Sequence, residues 1–200
     1  MTPEALILDF GEVLTRPQRR GAAELMASLV KLPLDEFLAR YWRHRSAYDG
    51  GLPVGEYWRS VVETADPLPE TLVSELVAAD AVSWTDYRDD VWDIAGECRA
   101  RGRRTAMLSN GVPEIIGRVR AERPLEAWFD VVIVSCEVGC CKPDPVIYRL
   151  CIDRLGLPAA QTLFVDDRAE NLEAAAAVGL RTLPFTGDES VPLLRTMLDL

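Results

Sequence analysis

Four short apolar runs along the chain are continuous rather than alternating: Ala5–Leu8, Thr105–Leu108, Val131–Val134 and Thr162–Val165. A weaker fifth follows at Arg181–Pro184. Strands that are apolar at every position belong to a parallel sheet covered on both faces. Between the later runs the apolar positions take helical spacing over 88–101, 144–155 and 169–178. Each of these segments is closed by a glycine (Gly102, Gly156, Gly179), the expected helix stop. Strands alternating with helices predict a doubly wound, Rossmann-like parallel α/β sheet.

Residues 16–86 break that rhythm. They hold no convincing strand and four helical stretches, 19–31, 35–48, 54–65 and 69–81, divided by Leu32-Pro33, Gly50-Gly51-Leu52-Pro53 and Asp66-Pro67-Leu68-Pro69. The expectation is an α/β core made of 1–15 and 87–200, with a helical bundle, 16–86, inserted after the first strand. An insertion at the C-terminal end of a strand lies over the ligand-binding edge of such a sheet, so a lid is expected.

Composition narrows the chemistry. The 200 residues carry a formal charge of −10, which argues against nucleic acid and against an anionic membrane surface as partners. No apolar run reaches the length of a membrane span, and Met1-Thr2-Pro3-Glu4 does not open a signal peptide, so a cytoplasmic protein is expected. A single histidine, His44, excludes a multi-histidine metal site. Cys136, Cys140 and Cys141 lack paired zinc-ligand spacing and read as small apolar residues. Lysine occurs only at Lys31 and Lys142, against 20 arginines. Where arginine serves as the generic cation, a surviving lysine suggests a need for a compact ammonium.

The polar residues fall at strand ends. The first strand runs into Asp9, the second into Ser109-Asn110-Gly111, the fourth into Asp166-Asp167, and Lys142 lies in the loop leaving the third. In a parallel sheet these ends share one edge, the edge that binds ligands. An Asp after a strand is commonly a helix cap, but capping does not account for four successive strand ends. Crowded carboxylates repel unless a cation sits among them, and hard oxygen donors without histidine or thiolate select Mg²⁺. A carboxylate beside such a metal can attack phosphorus. Ser109 and the following amides can hold phosphoryl oxygens, and Lys142 can balance charge.

The segments Asp9-Phe10-Gly11-Glu12-Val13-Leu14-Thr15, Leu108-Ser109-Asn110-Gly111, Glu137-Val138-Gly139-x-x-Lys142-Pro143-Asp144-Pro145 and Phe164-Val165-Asp166-Asp167-Arg168-x-x-Asn171 resemble, in order and spacing, the four motifs of the haloacid dehalogenase-like hydrolase superfamily. Within it the chain looks most like small sugar-phosphate phosphatases and the phosphatase domain of soluble epoxide hydrolases. The resemblance implies Asp9 as nucleophile and Ser109, with Asn110 and Gly111, as the phosphoryl-binding group. It implies Lys142 as charge-balancing lysine, and Asp9, the Gly11 carbonyl, Asp166, Asp167 and Asn171 around Mg²⁺. Asp167 would be the direct ligand, and Asp166 would act from its side.

One departure stands out. Most phosphatases of the superfamily carry a second Asp, the general acid, two residues after the nucleophile; here that residue is Gly11. Glu12 is adjacent, but neighbouring side chains on an extended segment point apart. In the helical insertion Trp42, Arg45 and Tyr48 share a helical spacing that reads first as packing, and Arg45 is the residue best placed to reach a polar substrate. The expected function is a Mg²⁺-dependent phosphatase of a small phosphorylated metabolite working through an aspartyl-phosphate, as a monomer or homodimer. The alternatives are a 2-haloacid dehalogenase and a non-enzymatic protein that binds a phosphorylated ligand.

Overall fold

The computed structural model describes residues 2–200. Its sheet has five parallel strands: β1 (Ala5–Leu8), β2 (Arg104–Ser109), β3 (Val131–Val134), β4 (Thr162–Asp166) and β5 (Arg181–Pro184), in the order β3-β2-β1-β4-β5. The chain winds outward from β1 in both directions, so β1 is flanked by β2 and β4, with Leu8 opposite Met107 and Val165. All four β1 residues are buried, because alternate side chains meet different helical layers. Leu6 and Leu8 join one core with Trp92, Ile115 and Leu194, and Ala5 and Ile7 join another with Ile147, Tyr148 and Cys151.

The first four α-helices after β1 are α1 (Arg20–Leu29), α2 (Leu34–Asp49), α3 (Val54–Val62) and α4 (Glu70–Ser83). Pro33, Pro53 and Pro69 immediately precede α2, α3 and α4, so the residues that divide the sequence pattern mark the helix starts. Phe37, Tyr41, Tyr57, Trp58 and Leu76 are buried among them. Helix α3 stops at Val62, short of the expected 65, where Glu63 turns left-handed at φ 57°. The outgoing and returning chains are laced together at the join. Arg16 N–H donates to Asp86 at 2.7 Å, Arg88 N–H donates to Leu14 at 3.0 Å, and Thr15 pairs with Tyr87.

Downstream come α5 (Asp89–Ala100), α6 (Pro113–Glu122), the short α7 (Ser135–Val138), α8 (Pro145–Leu155), α9 (Ala169–Ala177) and α10 (Ser190–Met197). Helices α5, α8 and α9 follow the expected spans to within a residue or so. Helices α6, α7 and α10 are additions. Each is short, α6 holds Gly117 in its middle and α10 holds Pro192 in its first turn, and both residues weaken a helical reading. Among the described residues no helix is long and apolar enough to cross a membrane.

Candidate active site

Asp9 leaves β1 with its N–H still bonded to Val165 of β4 at 3.0 Å, which fixes it at the C-terminal edge of the sheet. The next five residues do not continue the strand. Phe10–Leu14 form one wide turn closed by Thr15 N–H to the Phe10 carbonyl at 3.1 Å. Within it Gly11 is extended (φ −64°, ψ 133°) and Glu12 is left-handed (φ 58°). The expectation that Glu12 points away from the site rested on an extended segment. The turn removes that premise, and Glu12 lines the crevice.

The loop after α7 brings Lys142 across the sheet edge. Its Nζ lies 2.8 Å from Asp9 Oδ1 and 2.6 Å from Asp166 Oδ2, and the side chain is fully enclosed. Burial pulls the Lys142 ammonium pKa down, but the two carboxylates outweigh burial and hold it above the ordinary lysine value. The Asp9 pKa is also raised, but here burial dominates: Lys142 offsets it in part, and Asp166 adds to the rise. Asp9 Oδ1 also accepts from Phe10 N–H at 2.6 Å, so Oδ2 is the oxygen outside these bonds.

Asp166 and Asp167 are neighbours in sequence with different surroundings. Asp166 is fully buried; besides Lys142 it accepts from Arg168 N–H at 2.9 Å and from Asn171 Nδ2 at 2.9 and 3.1 Å. Asp167 faces the crevice. Its pKa is pushed up to about 6, first by burial and then by Asp166 and Glu12. One carboxylate oxygen from each of Asp9, Asp166 and Asp167 can be drawn from a cluster no more than 4.8 Å across. Three carboxylates facing one ammonium leave surplus negative charge, and an all-oxygen donor set fits a hard divalent cation such as Mg²⁺.

The remaining expected site residues are placed as follows. Ser109 ends β2, buried, with its hydroxyl 3.3 Å from the Asn110 carbonyl. Asn110 clamps the lysine: its Nδ2 donates to the Lys142 carbonyl and its Oδ1 accepts from Lys142 N–H, both at 2.8 Å. Its side chain therefore positions Lys142. Gly111 N–H is already bonded to Ser135 Oγ at 3.0 Å, so the expected phosphoryl contact does not come from that donor. A Cβ there would sit 3.3 Å from a Val134 methyl, tighter than an ordinary contact. Asn171 holds Asp166 through its amide nitrogen. Arg45 reaches the crevice but not as a free cation, since its Nε donates to Asp49 at 2.8 Å and one amino group bonds Tyr41 and Asp80. The buried face of α2 runs through Tyr41, Arg45 and Tyr48, and Trp42 stands off it in the crevice wall.

Two residues escaped the sequence reading. Trp84 closes the crevice above Gly11. Ser135, buried at the end of β3, accepts from Gly111 and donates to the Asp49 carbonyl at 2.6 Å, joining α2 to the Ser109 loop. A lone Trp or Ser at an element boundary carries no local signal of either contact. The crevice between the sheet edge and the inserted helices has a volume of about 540 Å³.

A family model of haloacid dehalogenase-like hydrolases matches residues 3–179, and the chain belongs to this family of hydrolases. Phosphatase MT3486 of Mycobacterium tuberculosis is 28% identical over 188 residues, covering 90% of this chain and 86% of that protein. Mouse acyl-CoA dehydrogenase family member 10 is 42% identical over 95 residues, 47% of this chain but only 9% of that much longer protein. A solved enzyme of the family from Bacteroides thetaiotaomicron, in complex with magnesium and inorganic phosphate, superposes with a TM-score of 0.74 at 21% identity, covering 90% of this chain and 92% of that one. Phosphatases and 2-haloacid dehalogenases both occur among the similar proteins.

Proposed function

We propose that the protein is a Mg²⁺-dependent phosphatase of a small phosphorylated metabolite, with residues 16–86 as a cap over the crevice. The observation that carries this reading is the joint placement of Asp9, Asp166 and Asp167 around the buried Lys142 ammonium. Asp9 Oδ2 attacks phosphorus, an Oδ2–P bond forms, and the ester P–O bond breaks. Lys142 holds the other Asp9 oxygen in place and offsets charge as the phosphoryl group approaches. Ser109 offers a hydroxyl to a phosphoryl oxygen. Gly11 has no side chain to protonate the leaving oxygen, so water supplies that proton. A second water then attacks the aspartyl-phosphate at phosphorus, releasing phosphate and restoring the carboxylate. Asp9, Asp166 and Asp167 would hold Mg²⁺, which when bound neutralises the phosphoryl charge. The MT3486 relative and the magnesium–phosphate complex support this assignment. In support of phosphate ester over haloacid, dehalogenation has no use for the surplus of carboxylates.

The test is phosphate release from 4-nitrophenyl phosphate with Mg²⁺ and with EDTA, beside chloride release from 2-chloropropionate. Mg²⁺-dependent phosphate release lost in Asp9→Asn is expected. Chloride release that persists in EDTA, without phosphate release, overturns the reading.

A further inference from the structure

The cations that line the crevice are all paired with carboxylates. Lys142 sits between Asp9 and Asp166. Arg168 bonds Glu170 at the mouth. On the cap side Arg45 is enclosed by two carboxylates, 2.8 Å from Asp49 and 3.3 Å from Asp80, all three side chains nearly buried. Asp80 is itself held by Tyr41 at 2.8 Å and Gln18 at 3.4 Å, so this cluster is fixed and carries no surplus positive charge. Glu12 and Asp167 also line the crevice, and among the described residues neither forms an ion pair. The other feature of the cap wall is aromatic. Trp42 is 48% exposed and packs edge-on to Trp84 at 6.3 Å and 89°, leaving an indole face open to whatever occupies the space above Asp9.

A phosphoryl group at Asp9 has its charge met at the sheet edge. A second anionic group on the leaving portion, held under the cap, would meet Asp49 and the unpaired Glu12 with no free cation to receive it. Like charges brought together in a partly desolvated site oppose binding. A neutral portion instead finds apolar surface on Trp42 and hydrogen-bonding oxygens on Ser46 and Asp49.

We infer that Asp49, which with Asp80 neutralises Arg45 and itself lines the crevice, and Trp42, by supplying an apolar wall, restrict this site to phosphate monoesters whose leaving group carries no second anionic charge. Asp49 is a specificity determinant in this arrangement. The inference rests on the phosphatase reading and adds which esters are taken.

The experiment compares kcat/KM for glycerol 3-phosphate and 3-phosphoglycerate. The two differ by a neutral hydroxymethyl against a carboxylate at the end remote from the ester. 4-Nitrophenyl phosphate serves as the reference for catalysis. The wild type is expected to prefer the neutral ester at least tenfold, on the order that like-charge repulsion supplies. Asp49→Asn removes one negative charge from the crevice wall and leaves Arg45 with Asp80 as its carboxylate partner, and the ratio is expected to shrink to about threefold or less. Ser46→Arg, at an exposed position, adds an unpaired cation to the same wall and is expected to shrink it as well. Equal kcat/KM for the two esters in the wild type overturns the inference while leaving the phosphatase reading intact. So does an unchanged ratio in both variants, or in Ser46→Arg alone should Asp49→Asn not fold. No phosphate release from any of the three esters overturns the phosphatase reading and this inference together.

Discussion

The indole of Trp84 lies over Gly11: a Cβ built on Gly11 would stand 3.4 Å from Trp84 Cζ3. The backbone of Gly11 is extended, φ −64° and ψ 133°, which any residue adopts. A Cβ there would be in ordinary van der Waals contact with the indole, so the constraint falls on the atoms beyond it. Trp84, directly after α4, borders the space into which a side chain at position 11 would grow.

Gly11→Asp alone is expected to fold, at a cost of about 1–3 kcal/mol from overpacking against the indole. Its carboxyl must share that space with Trp84, so the preference of the wild type for nitrophenyl phosphate over an alkyl phosphate should change little. Adding Trp84→Leu makes room, and the ratio should then fall by about 10-fold or more as a proton donor reaches the leaving oxygen. The ratio of kcat/KM values in the single and double variants checks this. A fall in the single variant equal to that in the double one would show that Trp84 is no obstacle.

The two carboxylates at the end of β4 should separate by stability rather than by activity. Asp166→Ala removes the partner of Lys142, Asn171 and Arg168 N–H at once, and breaking a buried pair costs about 3–5 kcal/mol. Asp167→Ala removes a crevice-facing carboxylate that holds neither Lys142 nor Asn171 and should not lower the melting temperature. Both variants should lose Mg²⁺-dependent turnover. Calorimetry beside phosphate release distinguishes them, and equal melting temperatures would contradict the different surroundings of the two residues.

The placement of Asp9, Lys142, Asp166 and Asp167 at one sheet edge was legible because it needs only two facts, the continuous apolar strands and their parallel order. The partners of these residues were not. Asn110 and Gly111 suggest phosphate binding by their position, yet their bonds run to Lys142 and Ser135, 32 and 24 residues away. No local pattern encodes such pairs. Glu12 was misjudged because a strand was extended through a turn. On α2 the spacing 42/45/48 was singled out where the buried face is 41/45/48, and one residue of rotation decides whether Trp42 packs inside or lines the crevice.

The Asn110 clamp should matter for rate more than for binding. Asn110→Ala deletes both bonds that hold the Lys142 backbone, and small displacements of a catalytic group cost up to about 100-fold. kcat is expected to fall about 10- to 100-fold. The lost hydrogen bonds should lower stability by about 1–3 kcal/mol. Asn110→Asp should not rescue, because a carboxylate cannot donate to the Lys142 carbonyl. Steady-state kinetics on 4-nitrophenyl phosphate checks this; wild-type kcat in a folded Asn110→Ala protein would show that Lys142 holds its place unaided.

Mg²⁺ binding should be set by the titration of Asp167, whose pKa in the metal-free protein is pushed up to about 6. The folded pKa lies above the ordinary 3.8, so the metal-free fold binds this proton more tightly than the unfolded chain does. That contribution to stability is present below pH 3.8 and is lost as pH rises through 6. Mg²⁺ requires the deprotonated group, so its affinity runs the other way. The apparent Kd for Mg²⁺ is expected to rise about tenfold for each pH unit below 6 and to level off above 7. Asp167→Asn removes the unfavourable charge without removing volume. After allowance for solvent screening of a partly exposed group, this corresponds to about 1 kcal/mol at pH 8 in EDTA. A gain of about 2–4 °C in melting temperature should follow. The same variant should no longer be stabilised by adding Mg²⁺. Thermal unfolding between pH 5 and 8, with Mg²⁺ and with EDTA, measures both effects. A Mg²⁺ affinity flat across that range would show that Asp167 is not the group that titrates against the metal.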